Sequence, residues 1–349
     1  MKSFSGMNKL GLSTRWLMVA LMWLGAMWAA SGADVRGYGV FKAIDYVQSS
    51  TNAPVLQANW PAYSFSAIVQ PTGLFSNQVV SASVESPSGL EQLTPPVANT
   101  DQPFASYFGA LTQNSLDASY PTGVYVLRIN TAHDGNKVLS LNLTNVSATA
   151  FPTNAPRVAN FNQAQTIDTF TNFVMTWDAF AGGTTNDFIS ISIADTNGVV
   201  VFRSATFGTE AGLTLLNGTN TSILIASNKL AWGQAYSGYI YFEKDPVIQT
   251  TDYPGARGLI GFAKATSFPL QTRPVVVPTL TTLSATNNRF VLRLSGDPGK
   301  SYIIQASTNL SSGSWTPVVT NVANGGSFDY TNVNMGNFNS RFFRALFKP

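Results

Sequence analysis

The stretch Leu230-Ala-Trp-Gly-Gln-Ala-Tyr-Ser-Gly-Tyr-Ile-Tyr-Phe242 sets a leucine before a glycine-bearing turn and lets Tyr236 lead an aromatic run. This is the pattern of a tyrosine corner, in which the phenol of the leading Tyr bonds back to the backbone just upstream and fixes the entry into a sandwich strand. Two looser echoes follow the same rule. Leu116 precedes Tyr120-Pro-Thr-Gly-Val-Tyr125 and a strand, and Asp297-Pro-Gly-Lys-Ser-Tyr302 opens another near the end. One punctuation used three times predicts an all-β chain of three β-sandwich modules in series.

Composition supports strands. Of the 349 residues 44% are hydrophobic and only 11% charged, so the chain can bury cores. Its polar positions are largely Ser, Thr and Asn rather than the Glu and Lys of surface helices. Lys2, Lys9 and Arg15 flank the start of an apolar run at 16–30, and Ser31-Gly-Ala33 then supplies small residues where signal peptidase reads. Residues 1–33 are therefore expected to be a signal peptide cleaved near Ala33, with no transmembrane segment in the mature chain, since the run is shorter than the ~20 residues of a span. Of 20 basic and 17 acidic residues, three basic ones lie in that segment, so the mature chain has 17 of each. No basic field remains for nucleic acid. With no cysteine, neither a disulfide nor a thiolate metal site is available. Export to the periplasm, cell surface or medium is the expected localisation.

Module 1, residues 34–150, shows period-two runs at Tyr63, Phe65 and Ala67 and at Val80, Ala82 and Val84. Tyr125, Leu127 and Ile129, then Leu139, Leu141 and Leu143 across the turn His133-Asp-Gly-Asn136, read as a hairpin. A proline-bearing linker, 151–156, leads to module 2, residues 157–272. There a strand is expected near Thr166, Trp177 reads as the buried aromatic of an immunoglobulin-like sandwich, and Ile189, Ile191 and Ile193 lead into the hairpin turn Asp195-Thr-Asn-Gly198. Asp195 and Asn197 could also be read as calcium ligands, but no spaced acids complete a loop. Five Asn-x-Ser/Thr motifs, at Asn142, Asn145, Asn217, Asn220 and Asn309, are expected by chance in so Asn- and Thr-rich a chain. Module 3, residues 279–349, is small for a sandwich.

In that last module Gly299-Lys-Ser-Tyr-Ile-Ile-Gln-Ala-Ser-Thr-Asn-Leu310, Trp315, Asp329-Tyr-Thr and Arg341-Phe-Phe-Arg-Ala resemble a C-terminal β-module of large secreted proteins from environmental Gram-negative bacteria. Its relatives resemble fibronectin type III and immunoglobulin-like domains. The resemblance carries no catalytic residue; it implies an exported, cell-surface or extracellular accessory role, with tandem immunoglobulin/fibronectin III-like sandwiches.

His133 is the only histidine and sits in a turn, so it reads as a local turn residue rather than a catalytic one. Glu243 and Asp245 are the candidates for a carboxylate pair of a polysaccharide hydrolase or lyase. Their ordinary reading is a solvated loop beside Lys244. If Tyr236, Ile240 and Phe242 face the core, Tyr239 and Tyr241 face away and, with Tyr253 in the next loop, could stack on a sugar; the alternative is an interdomain face. The expectation is an exported, non-catalytic binding or structural protein for adhesion, envelope or extracellular-matrix interaction, or alternatively a carbohydrate-binding protein. No cofactor or metal is expected, and the partner is a glycan or an envelope or extracellular protein.

Overall fold

The computed structural model describes residues 33–72, 78–95, 103–144, 150–205, 213–274, 276–286, 288–311, 313–333 and 335–348. Residues 1–32 of the expected signal peptide and the motif at Asn145 lie outside them. The chain divides into two compact units between Arg273 and Pro274.

Along the first unit come β1 (Val35–Val47), β2 (Val55–Leu56), β3 (Tyr63–Pro71), β4 (Val79–Ser86), β5 (Gly89–Gln92), β6 (Phe104–Ala110), helix α1 (Gln113–Ser119), β7 (Val124–Thr131) and β8 (Asn136–Asn142). They are followed by β9 (Phe173–Thr176), β10 (Phe188–Ala194), β11 (Val200–Arg203), β12 (Leu216–Asn217), β13 (Ser222–Ile225), β14 (Ala235–Gln249) and β15 (Arg257–Gln271). The expected alternation is what packs them. Phe65 and Ala67 of β3, Tyr125, Leu127 and Ile129 of β7 and Leu139 and Leu141 of β8 meet in one core. Ile189, Ile191 and Ile193 of β10 meet Met175, Trp177 and Phe242 in a second. A bulge between Val79 and Ser81 shifts the expected inward set in β4: Val79 is buried, whereas Val80 is exposed.

The two cores share a sheet. Its strands run β11-β10-β14-β15-β1-β3-β6, so the linker at 151–156 separates two cores but not two sheets. The joint is a parallel pairing of β1 with β15, from Gly37 opposite Arg257 to Val47 opposite Ser267. At ~3.3 Å per residue, a 15-residue strand such as β14 or β15 spans roughly 50 Å, enough to serve both cores. Ile260 and Phe262 of β15 accordingly enter the first core, Phe268 and Leu270 the second. Glycines allow the close packing along β15, at this joint and across its pairing with β14. A Cβ at Gly258 would meet the Tyr38 ring at 2.7 Å, and one at Gly238 the Phe268 ring at 2.4 Å. The first core is closed by the sheet β5-β4-β7-β8, the second by β13-β9 and the preceding loops. The strand expected near Thr166 is instead a 3-10 turn, Gln163–Gln165, followed by a single parallel bridge from Ile167 to Thr272.

The second unit holds β16 (Thr279–Ala285), β17 (Phe290–Ser295), β18 (Ser301–Ser307), β19 (Thr316–Val322), β20 (Ser327–Asn332) and β21 (Phe342–Lys348). Sheets β16-β17-β20 and β19-β18-β21 enclose a small core of Leu294, Tyr302, Ile304 and Ala323. All three tyrosines form the expected backbone bond. The Tyr236 hydroxyl accepts from Ala231 N at 2.8 Å, Tyr302 accepts from Asp297 N at 2.7 Å, and Tyr125 donates to Pro121 O at 2.8 Å. The molecule is all-β, with sandwich cores of the immunoglobulin/fibronectin III kind. Among the described residues no helix is long and apolar enough to cross a membrane.

Candidate functional site

Strand β14 sorts its side chains as period two requires. Tyr236, Ile240 and Phe242 enter the second core, and Tyr239, Tyr241 and Glu243 take the opposite face. That opposite face is buried as well. Tyr241 is 1% exposed and Tyr239 half-buried, their rings meeting edge to face at 5.0 Å between centroids. The Tyr239 hydroxyl donates to Asp45 of β1. Phe41, Ile68, Leu259 and Ala263 complete a third cluster which, among the described residues, draws only on the strands of the long sheet itself. Tyr253 lies elsewhere. It is 2% exposed in the first core and donates to Asp134 Oδ2 at 2.5 Å. Stacking on a sugar requires an open ring face, and neither buried tyrosine offers one.

Glu243 and Asp245 are brought together, but not in a solvated loop. Glu243 is 3% exposed on the strand, lying over Gly261, while Lys244 turns to Gly182 O at 3.0 Å and Asp187 at 3.4 Å. A register shift between Lys244 and Val247 accommodates Pro246. Burial pushes both carboxyls up, Asp245 to about 6 and Glu243 well above its ordinary value, and the negative charge of Asp245 adds to the rise at Glu243. Arg257 offsets part of this. The hydrogen bond between the two side chains favours the proton on Glu243. Sugar hydrolysis needs carboxyls ~5–9.5 Å apart with the scissile bond between them. A pair in direct hydrogen-bond contact leaves no such space.

An open site is found at the tyrosine corner. The β10–β11 turn, the turn at 228–231 and the start of β14 enclose a cleft of about 480 Å³ lined by Asp195, Asn197, Asn228, Lys229 and Gln234, with Tyr236 at its edge. Asp195 Oδ1 accepts from Asn197 N at 2.8 Å and Val199 N at 2.9 Å, so this carboxylate holds the hairpin turn. Among the described residues no three His, Asp or Glu converge on a metal position. Asn228 is left-handed at φ 62°, a conformation Asn tolerates better than most residues, and its N–H donates to Thr169 O at 2.6 Å. Trp232, 51% exposed, sits in the turn between Ala231 and Gln234, both of which line the cleft. Sequence reasoning passed over Asn228, Lys229 and Trp232; an indole in a turn, outside any alternating run, was the available signal.

No family model matches the chain, and no curated protein does. Among solved structures, chicken CNTN1 FN1-FN3 domains are 10% identical, covering 90% of this chain and 93% of that one at a TM-score of 0.18. The central fibronectin-III array of RIM-binding protein is 10% identical, covering 84% and 88%, at a TM-score of 0.19. Superposition this loose carries no argument about function, and the fold stands on the strands, cores and tyrosine corners of the chain itself.

Proposed function

We propose that this is an exported protein that acts by binding, in adhesion or in envelope or extracellular-matrix structure, and that it makes its contact at the tyrosine-corner cleft. The observation that carries the reading is the cleft's composition. Asn197, Asn228, Gln234, Asp195 and Lys229 line the cleft, and the turn between its lining residues Ala231 and Gln234 carries the exposed Trp232. Convergent polar groups fix the orientation of a ligand, and an indole supplies rigid apolar area with a donor at one end. Sugars present both hydroxyls and an apolar ring face, so a glycan is the ligand class this combination fits. Loops at the end of a sandwich are where such contacts are built.

The test is an array of polysaccharides and envelope fractions probed with the exported product and its Trp232→Ala variant. A surface indole in a turn is expected to leave stability within about 0.5 kcal/mol, while glycan binding falls by roughly tenfold or more. Glycan binding that survives Trp232→Ala would remove the cleft from the reading. Retention on envelope protein without any glycan signal would replace the sugar by a protein partner, and release of reducing ends from a polysaccharide would overturn the non-catalytic assignment.

A further inference from the structure

The amide of Asp34, the residue expected to follow the signal-peptidase cut, lies against a carboxylate. Asp34 N donates to Asp134 Oδ2 at 2.7 Å, in the turn between β7 and β8, and Tyr253 donates to the same oxygen at 2.5 Å. Asp34 is 3% exposed. Its own carboxylate turns back onto that turn, accepting from His133 N at 2.6 Å, Asp134 N at 3.1 Å and His133 Nδ1 at 2.7 Å. Two carboxylates thus sit within a few ångströms of each other. In the uncut chain Asp134 Oδ2 accepts from an amide and a phenol, both neutral.

We propose that cleavage after Ala33 converts this contact into a partly buried ion pair, and that Asp134 with Tyr253 is the receptor for the new N-terminus. Hydrolysis by signal peptidase adds one water across the Ala33–Asp34 bond. The carboxylate stays on the departing segment, and the amine left on Asp34 takes a proton at neutral pH, its α-amino pKa being ~7.7–8.0 when unperturbed. The ammonium keeps the existing bond to Asp134, now charge-assisted, and supplies a positive charge between the two carboxylates. Thr72 Oγ1, which donates to the Ala33 carbonyl at 2.6 Å, lies on the side from which that carbonyl departs. The consequence is mechanical. Residue 34 immediately precedes β1, the strand that joins the two cores, and the ion pair ties the start of that strand to the β7–β8 turn and to the loop carrying Tyr253. This inference rests on export and does not depend on what the cleft binds.

The full-length chain is produced in an exporting host, and the first residue of the product is read by mass spectrometry. Asp34 is expected, and any other first residue overturns the proposal. Stability of the product is then followed from pH 6 to 11, beside Asp134→Asn and a variant with one alanine inserted before Asp34, cut so that the ammonium moves one residue away. An ammonium seated on Asp134 has its folded pKa raised. Its contribution is complete below about pH 7.7 and is lost as pH rises through the folded value. Each variant is expected to abolish that step and to raise the unfolding equilibrium constant on the order of tenfold, and the double variant to do no more than either alone. His133→Gln separates the other titrations at this end, where Lys137 and Asp252 flank Tyr253 and Arg36 lies on β1; it is expected to keep the alkaline step. An alkaline step unchanged in the insertion variant, or fully additive effects, would overturn the proposal while leaving export intact.

Discussion

Phe242 and its neighbours Tyr241 and Glu243 belong to one strand and are all buried, yet they face two differently built surfaces of the same sheet. On one side Phe242 stacks on Phe180 at 4.6 Å between nearly parallel rings, among Ile189, Ile191 and Ile240. On the other, Tyr239 bonds Asp45, Glu243 and Asp245 bond each other, and Ser190 and Ser192 are buried with them. The first face is held by dispersion and the exclusion of water, which tolerate no gap. The second is held by polar groups that must satisfy one another, where each unmatched atom carries a cost. Among the described residues, Asp245 Oδ1 and Ser192 Oγ are buried there without a hydrogen-bond partner.

Substitution along β14 separates the two faces. The largest effect belongs to Phe242→Ala, which empties a 0%-exposed position and is expected to destabilise the first unit by about 3–5 kcal/mol in urea unfolding. A loss under about 1 kcal/mol would mean that the apolar face closes over the gap and is not tightly packed. On the other face Tyr239→Phe keeps the ring and removes a single donor from a buried carboxylate. The expected cost is about 1.5–3 kcal/mol, the range for hydrogen bonds to charged groups. A neutral outcome would show that Asp45 is satisfied without that phenol.

This contrast also marks how far the sequence could be read. Alternation identified the core of the sandwiches through Ile189, Ile191 and Ile193 and through Tyr125, Leu127 and Ile129, because a half-buried strand writes its inner face in every second residue. The three tyrosine corners were legible for a similar reason: a short-range bond needs its residue at a fixed offset from the turn. The pairing of β1 with β15 was not, since backbone hydrogen bonds carry no residue code and the partners, such as Gly37 and Arg257, are far apart in the chain. Polar residues opposite an inner face were read as solvent-facing, which misplaced Glu243 and Asp245, because their sheet is buried on both sides. The cleft joins residues from three separate segments that nothing in the sequence links, and only Trp232, in the adjoining turn, stood out by type.

The smallest expected effect is the one of opposite sign. Burial raises the folded-state affinity of the Glu243–Asp245 pair for a proton, whereas the unfolded chain releases its protons at ~3.9 for Asp and ~4.3 for Glu. Between about pH 4 and the point at which the folded pair ionises, the folded state binds more protons, so stability falls as pH rises. Asp245→Asn replaces the titrating partner by an amide that can donate to Glu243, leaving a single carboxylate near Arg257. The variant is expected to be more stable than the parent by about 1 kcal/mol at pH 7 and indistinguishable from it at pH 4. Urea unfolding at the two pH values decides the matter. A gain of equal size at both would trace to packing at the bulge, and a loss at pH 7 would show that the ionised pair is satisfied by its surroundings, which would make the second face as well matched as the first.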